Sequence, residues 1–568
     1  KGSNLHSMFA GALWLGGIDE ADQLKLAAMT YRQRGVDYWP GPLSEDASIT
    51  EQTCQNYDRH WMLFRSEVEI HRAWIECKET PGCNPEERFP GYASNIPEVI
   101  QEWPGNGIDG ELPNKLAPYT ESDTNGIPGF YDFEWDYPAY DFSRTADCQA
   151  RENDFLYGDQ TIWWVYNDRG NIHTESNASA LGFEIRAQAF AFTSNDEINN
   201  MTFNNYRILN KSSFRLRDTY FGTWFDPDIG NAFDDIIGSD ISRGLGYCYN
   251  GDNIDEGALG YGPNPPAIGF DFFQGPFADY FNGIDDDRDG CVDGVRIDGV
   301  CQPEDPTIGR NERIIMSGYM YYNNGFNYPG PDATTDPDNA QEFYNYLRSL
   351  WKDGRPLVIQ NPSGKGQTAN GIGFVQNPDG FTRTVYAYPG LSFDTTGARE
   401  PSAPIANGGW WESPDNQADK RGLHTAGPFS LAPGALNFIT TGTVWARNFG
   451  SQDIFASVED VIVADDKAQQ LFDNCFQVLD GPDAPTIEIV ELDQELIINF
   501  VNPYNDNVIG YRQRDPLIPP DPNWDAAQVD SAEQAGYFSY VFEGFQIFQV
   551  ANAGVSIADI YDPAQARL

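Results

Sequence analysis

Hydrophobic and polar positions alternate with a period of two over short runs along most of this chain. Phe183-Glu184-Ile185-Arg186-Ala187-Gln188-Ala189-Phe190-Ala191-Phe192 follows the pattern, as do Leu24–Tyr31, Met201–Ile208, Thr219–Trp224, Ile314–Met316 and Asn437–Trp445. Successive side chains of a strand point to opposite faces, so the alternation predicts half-buried antiparallel strands. The Asn, Gly and Pro between the runs predict the turns that join them.

Two stretches follow a helical period instead. Asn339–Lys352 places Phe343, Leu347, Leu350 and Trp351 on one face, with Gly354 as its C-terminal cap. Ser457–Val478 opens with Ser457-x-x-Asp460, a capping-box pattern, and aligns Val461, Ala464, Ala468, Leu471, Cys475 and Val478. Both stripes read as core-facing. After Leu479 the turn Asp480–Pro485 leads into alternating strands at Thr486–Leu492 and Glu495–Phe500, with a third at Tyr540–Val550. This Pro-rich entry and aromatic strand resemble the opening half of a fibronectin type III domain, although the insert Val501–Phe538 departs from that pattern. The expected fold is therefore all-β: a multi-domain antiparallel β-sandwich with a few inserted helices and long loops. Its regions are an N-terminal β-rich part at 1–150, a central sandwich with calcium loops and two helices at 151–479, and a fibronectin-like module at 480–568. That last module is expected to be incomplete at Leu568.

Length and charge narrow the picture. The 568 residues predict about two to four structural units. Basic residues number 36 against 85 acidic, a net charge of −49, and there is no basic stripe, so nucleic acid is excluded as a partner. No apolar run approaches the roughly 18 residues that a membrane helix needs, so no membrane insertion is expected in this segment. The chain opens KGSNLHSMFAG without a charged-then-apolar leader, so any signal peptide is expected to lie upstream or to have been removed. Aromatic residues make up 14%, too many for a disordered acidic tract. Among eight cysteines, Cys77 and Cys83 flank a short turn and Cys291 and Cys301 bracket a loop. Both spacings favour local disulfides in an oxidising compartment over free buried thiols.

Much of the acidity is a solvated surface, but some of it is patterned. Asp285, Asp287, Asp289 and Asp293 spell D-x-D-x-D-G-x-x-D. Alternate carboxylates of a turn converge on one point, where a hard cation wanting six to eight oxygens at about 2.3–2.6 Å is satisfied, with the Cys291 carbonyl in reach. Calcium is the expected ion. The loop is not an EF-hand, because its twelfth position is Arg296; its spacing resembles that of thrombospondin type 3 and dockerin repeats. Asp226, Asp228 and Asn231 form a second candidate at a strand end, and Asp132, Glu134, Asp136 and Asp141 a third that lacks the turn glycine. Asp252–Glu256 reads as a solvated turn.

Catalytic motifs do not emerge. There is no G-x-S-x-G, H-E-x-x-H, Walker A or dinucleotide fingerprint. Asn361–Gly366 lacks the leading glycine of a phosphate loop, and His6, His60, His71, His173 and His424 are scattered and read as structural. Trp410-Trp411 reads as core or loop anchor rather than a sugar platform. Asp394-Thr395-Thr396 and Asp530-Ser531-Ala532 match a short D-[S/T]-apolar glycosylation pattern, with plain turns as the simpler reading. No enzyme is predicted.

Several phrases together resemble a family of large secreted Bacteroidota proteins that carry a C-terminal sorting domain for type IX secretion. They include FAGALWLGGID (9–19), AAMTYRQRGVDYWPGPL (27–43), YGDQTIWWVYND (157–168), TYFGTWFDPDIGN (219–231), RGLGYCYNGDN (243–253), GFDFFQG (269–275), NGIDDDRDG (282–290), FYNYLRSLWKDG (343–354), AGPFSLAPGALNFITTG (426–442) and ADDKAQQLFDNCFQVLDGPDAP (464–485). The family carries D-x-D-G-D-G-x-x-D at the loop where this chain has Asp132-x-Glu134-x-Asp136. The resemblance implies an extracellular or cell-surface location and no established activity. The expected function is a structural or adhesive subunit of a surface fibre, hook or adhesin, stabilised by calcium and self-associating. The alternative is a secreted polysaccharide-binding or polysaccharide-degrading protein, with surface glycans as ligands.

Overall fold

The period-two runs become the strands of two antiparallel sheets. The computed structural model describes residues 5–31, 33–108, 110–121, 126–142, 154–194, 196–297, 299–326, 328–359, 371–390, 410–413, 416–477, 486–493, 495–501, 511–514, 524, 526–541, 544, 548–551 and 566–567. It contains 35% strand and 16% helix, an all-β fold with few helices. The turn at 480–485, the Gly-rich segment 361–366 and the triplet 394–396 lie outside the described residues. The chain divides into two compact units, Lys1–Cys475 and Phe476–Leu568.

In the first unit the strands, in chain order, are β1 (Ala10–Asp19), β2 (Leu24–Ala27), β3 (Trp39–Pro40), β4 (Trp61–Phe64), β5 (Gln160–Asn167), β6 (Phe183–Ala191), β7 (Met201–Asn210), β8 (Leu216–Asp226), β9 (Asp235–Asp240), β10 (Leu245–Asn250), β11 (Ala267–Gln274), β12 (Gly294–Ile297), β13 (Val300–Pro303), β14 (Gly318–Asn323), β15 (Lys420–Leu431) and β16 (Leu436–Ala446). One sheet has the order β14-β15-β8-β1-β2. The other runs β9-β10-β11-β16-β7-β6-β5-β3, with β4 also paired to β5. Residues 1–150 thus give β1 and β2 to one sheet and β3 and β4 to the other, so they share a unit with the residues that follow.

The inner faces of the sheets meet through large apolar side chains. Phe225 of β8 stacks on Phe270 of β11 with ring centres 3.8 Å apart, and Phe221 meets Phe272 edge-on at 5.5 Å. Phe221 and Phe225 are wholly buried, and truncating one such ring costs about 3–5 kcal/mol. The outer face of the five-stranded sheet is covered by helix α2 (Ala340–Leu347), where Trp14 stacks against Trp224 and meets Phe343. Gly16 and Gly222 permit this: a Cβ on Gly222 would stand 2.6 Å from Leu347. Helix α3 (Ala456–Asp473) lies on the outer face of the nine-stranded sheet, with Val461 against Gly269. Around β5, helix α1 (Arg65–Glu79) and its neighbours build a smaller core in which Trp61 and Trp103 both pack on Trp163.

Three local readings differ from the structure. Ile314–Met316 is not a strand, yet Ile314 and Met316 are buried as core residues just before β14. Helix α2 stops at Leu347 because Ser349 takes a left-handed φ of 56°. At α3 the capping box does not form: Ser457 donates to the Pro265 carbonyl at 2.8 Å, while Asp460 accepts from Asn448. Cys475 lies past the end of α3, at φ 53°, and is disulfide-bonded.

In the second unit the described residues form a hairpin, Thr486–Leu492 with Glu495–Val501, and short pairs of Arg512–Arg514 with Ser539–Val541 and of Gln549–Val550 with Ala566–Arg567. Helix α4 (Ala526–Ala535) lies between them in sequence and contains Asp530-Ser531-Ala532, so that triplet is helical rather than a turn.

Candidate metal centre

The loop between β11 and β12 is held by features that are local and mostly covalent or backbone-directed. Cys291 and Cys301 form a disulfide, with Cα atoms 5.5 Å apart, that ties the loop to the β12–β13 hairpin. Gly290, at φ 89°, lets the chain turn back. Asp285 Oδ2 then accepts from the Gly290 amide at 3.0 Å, Asp287 from Asp289 at 3.1 Å, and Asp289 from Cys291 at 2.8 Å. Asp285 and Asp287 each spend one oxygen on these amides, while Asp289 spends both, its Oδ2 accepting from the Arg296 amide.

As a result one oxygen from each of Asp285, Asp287 and Asp289 lies within 4.8 Å of the other two. Two ligands each about 2.4 Å from a common ion are at most about 4.8 Å apart, so this is the spacing a calcium ion accepts. Asp285 is 8% exposed and its Oδ1 is buried without a hydrogen-bond donor. No lysine or arginine side chain pairs with these three among the described residues. Arg288 turns away, donating to the Met316 carbonyl and to Tyr386. Burial, followed by repulsion from Asp289, Glu312 and Asp285, pushes the Asp287 carboxyl up to about 7. A cation at this point would supply the missing positive charge.

The other two expected ligands, Asp293 and the Cys291 carbonyl, sit in the same loop. Asp293 accepts from the Gly283 amide at 2.8 Å and so closes the loop at its base. The sulfur of Cys291 is committed to the disulfide, leaving only its carbonyl as a donor to an ion. A residue that sequence reasoning missed, Glu312, is 1% exposed and grips both ends of the loop, accepting from Asp286 at 2.7 Å and Gly294 at 2.6 Å. It belongs to no local motif, so only the fold reveals it.

The second predicted group assembles differently. Asp226 and Asp228 come together with Asp419, which the sequence did not suggest, and the backbone amide of Asn231, the third expected ligand, donates to Asp255 at 3.2 Å. Here a cation is already present. The Arg421 side chain, 6% exposed, pairs with Asp419 and reaches Asp226 Oδ1 at 3.4 Å, and the Tyr31 hydroxyl donates to Asp226. Burial lifts Asp226 to about 7 against the pull of Arg421, and lifts Asp228 to about 6, with Asp419 adding repulsion.

The third candidate is a turn that satisfies itself. Asp132 Oδ1 accepts from Glu134 at 3.1 Å, and Asp136 Oδ2 from the Asp132 amide at 2.8 Å. Asp132, Glu134, Asp136 and Asp141 do not converge as a group of three among the described residues. Lys78 bonds the Glu134 carbonyl at 2.6 Å, bringing its own charge to the turn.

No protein-family model and no curated protein matches this chain.

Three of the histidines are held inside the fold. His71 is held by the Phe133 carbonyl at 2.8 Å and the Tyr92 hydroxyl at 3.2 Å, and burial pushes its pKa down to about 4. His173 lies between the Leu26 and Asp168 carbonyls, each at 2.7 Å. His424 is enclosed by Phe225, Phe272 and Tyr319, and burial pushes its pKa down to about 3. Trp410 is core, and Trp411 rests on Phe455. Asp271 of β11 and Asp465 of α3, each 1% exposed, face each other across the helix–sheet contact. Burial first, then acidic neighbours, raise both carboxyls. Cys77 and Cys83 form the other short-range disulfide, at the end of α1.

Proposed function

We propose that this chain is a structural, adhesive part of an extracellular surface assembly whose sandwich is stabilised by calcium held in the Asp285–Asp293 loop. The observation that carries the calcium claim is the convergence of three carboxylates around the buried, unpartnered Oδ1 of Asp285. Two short-range disulfides agree with an oxidising, extracellular setting, as does the resemblance to type IX-secreted surface proteins. Calcium binds the folded loop, so by mass action it stabilises the unit that presents the surface. In this reading copies of the chain self-associate into a homo-oligomer or fibre. Electron microscopy of native material tests it: regular lateral contacts between copies, lost with chelator, are expected, and isolated single particles in calcium would sink the assembly.

A second reading, polysaccharide binding, is favoured by one observation. A cavity of about 300 Å³ is lined by Tyr38, Trp39, Trp164 and Tyr206, with Asp58 and His60 beside them. Aromatic faces with a few polar groups suit a sugar ring. Gel retardation by soluble polysaccharides, abolished in Trp164→Ala, separates this reading from the first.

A further inference from the structure

A larger cavity, of about 450 Å³, opens where α2 ends against β15 and the segment 383–385. Its volume falls in the range of small-ligand sites. In a chain carrying 85 acidic residues, none of the residues lining this cavity is acidic, and two are arginines, Arg348 and Arg383. Neither is ion-paired among the described residues. Arg348 spends one nitrogen on Asn345 Oδ1 at 3.1 Å and lies over the Tyr344 ring, but its Nε is buried without an acceptor. Arg383 is exposed and its guanidinium makes no hydrogen bond among the described residues.

The hydroxyls of the cavity sharpen its preference. Ser317 and Thr425 donate to backbone carbonyls, at 3.3 and 3.1 Å. Ser349, 2% exposed and held at a left-handed φ of 56°, lines the cavity with its hydroxyl uncommitted among the described residues. The free groups of this cavity are thus donors: two guanidinium groups and a hydroxyl. A guanidinium fork matches an oxyanion bidentately, and a buried Nε without an acceptor costs free energy that such a ligand recovers.

We propose that this cavity binds a small oxyanion-bearing ligand of monosaccharide size, its carboxylate, sulfate or phosphate group seated between Arg348 and Arg383. The overall negative charge of the chain opposes anions at long range. At physiological salt that field is screened beyond about 8 Å, so the two arginines that line the cavity dominate at the site. One wall residue, Ile284, immediately precedes Asp285 of the calcium loop, which is why the test is run without calcium.

Isothermal titration calorimetry of the full chain in calcium-free buffer tests this with sodium glucuronate, sulfate, phosphate and uncharged glucose. Saturable binding by at least one oxyanion and none by glucose is expected, and the anion that binds most tightly identifies the group. Arg383→Glu, an exposed substitution, should weaken that affinity about tenfold or more with an unchanged melting temperature, and Arg348→Gln should weaken it as well. Failure of all three anions, equal binding of glucose and glucuronate, or an affinity within about twofold of wild type in Arg383→Glu would each overturn the proposal.

Discussion

Two groups of three aspartates sit in the same unit, and they are stabilised in opposite ways. At Asp285, Asp287 and Asp289 the carboxylates converge with no side-chain cation among them, whereas at Asp226, Asp228 and Asp419 the guanidinium of Arg421 enters the cluster. Clustered acids alone therefore say little about metal binding. What decides is whether the protein already brings the counter-charge, and in the second cluster it does. The Asp271–Asp465 contact is a third arrangement, in which burial first and acidic neighbours second raise both carboxyls toward the neutral form.

The largest expected effect tests the arginine. Arg421→Met leaves buried, uncompensated carboxylates and should destabilise the first unit by about 3–5 kcal/mol at pH 7.5 in urea unfolding. Because burial already lifts Asp226 to about 7 and Asp228 to about 6, protonation should recover much of this loss at pH 5. An equal loss at both pH values would break the assignment of the guanidinium as the counter-charge.

Next comes the metal. Calcium at about 100 times its Kd should add about 2.7 kcal/mol, seen as a higher melting temperature that EGTA reverses. Asp287→Asn should abolish the response and Asp228→Asn should keep it; a response lost in both would erase the distinction between the clusters.

The Asp271–Asp465 contact gives a smaller, pH-shaped effect. The folded carboxyls of Asp271 and Asp465 titrate above the unfolded value of about 3.8, so the folded state holds more protons and this pair's contribution falls as pH rises through that window. Its slope approaches about 1.4 kcal/mol per pH unit for each proton retained. His71 and His424, depressed to about 4 and about 3, act oppositely and cost stability as pH falls below about 6.5. Asp465→Asn should flatten the falling limb between pH 5 and 7, measured by urea midpoints; an unchanged profile would remove the pair from the comparison.

The smallest effect is at the rim of the arginine cluster. Asp228→Asn relieves repulsion from Asp419 and should stabilise by a few tenths of a kcal/mol at pH 7.5, read as a urea midpoint shift. A loss of about 1 kcal/mol would instead make Asp228 a needed partner of His6, which lies 3.9 Å away.

The strands were legible because alternation is a property of neighbours in sequence: Phe183–Ala191 and Met201–Asn210 are strands where the pattern places them. Ile314–Met316 was misread because three apolar residues fill a core as well in a loop as in a strand. The Asp285 loop was legible for the same local reason, with three of its four carboxylates brought together by turn geometry. Asp419, Arg421 and Glu312 were not, since each reaches its partners only through strand pairing or loop packing far along the chain. The failed capping box at Ser457 teaches the same point, because a carbonyl at Pro265 outbid the helix amides.

The position of β1 inside its sheet carries a consequence for how the unit comes into being. Ala10 faces Asp226 across one ladder, and Leu216 of that partner strand faces Leu431 across the next. At about 5–20 residues per second, β1 waits on the order of ten seconds or more for β8 to be synthesised, and the sheet waits as long again for β15. Pairing at such range makes folding slow by topology and leaves strand edges open meanwhile. The five-stranded sheet cannot close before nearly all of the unit has emerged, whereas β5–β7 and β9–β11 pair with sequence neighbours as they appear. Over that interval β1 stands with an open edge, the part of this unit most exposed to pairing with the wrong strand.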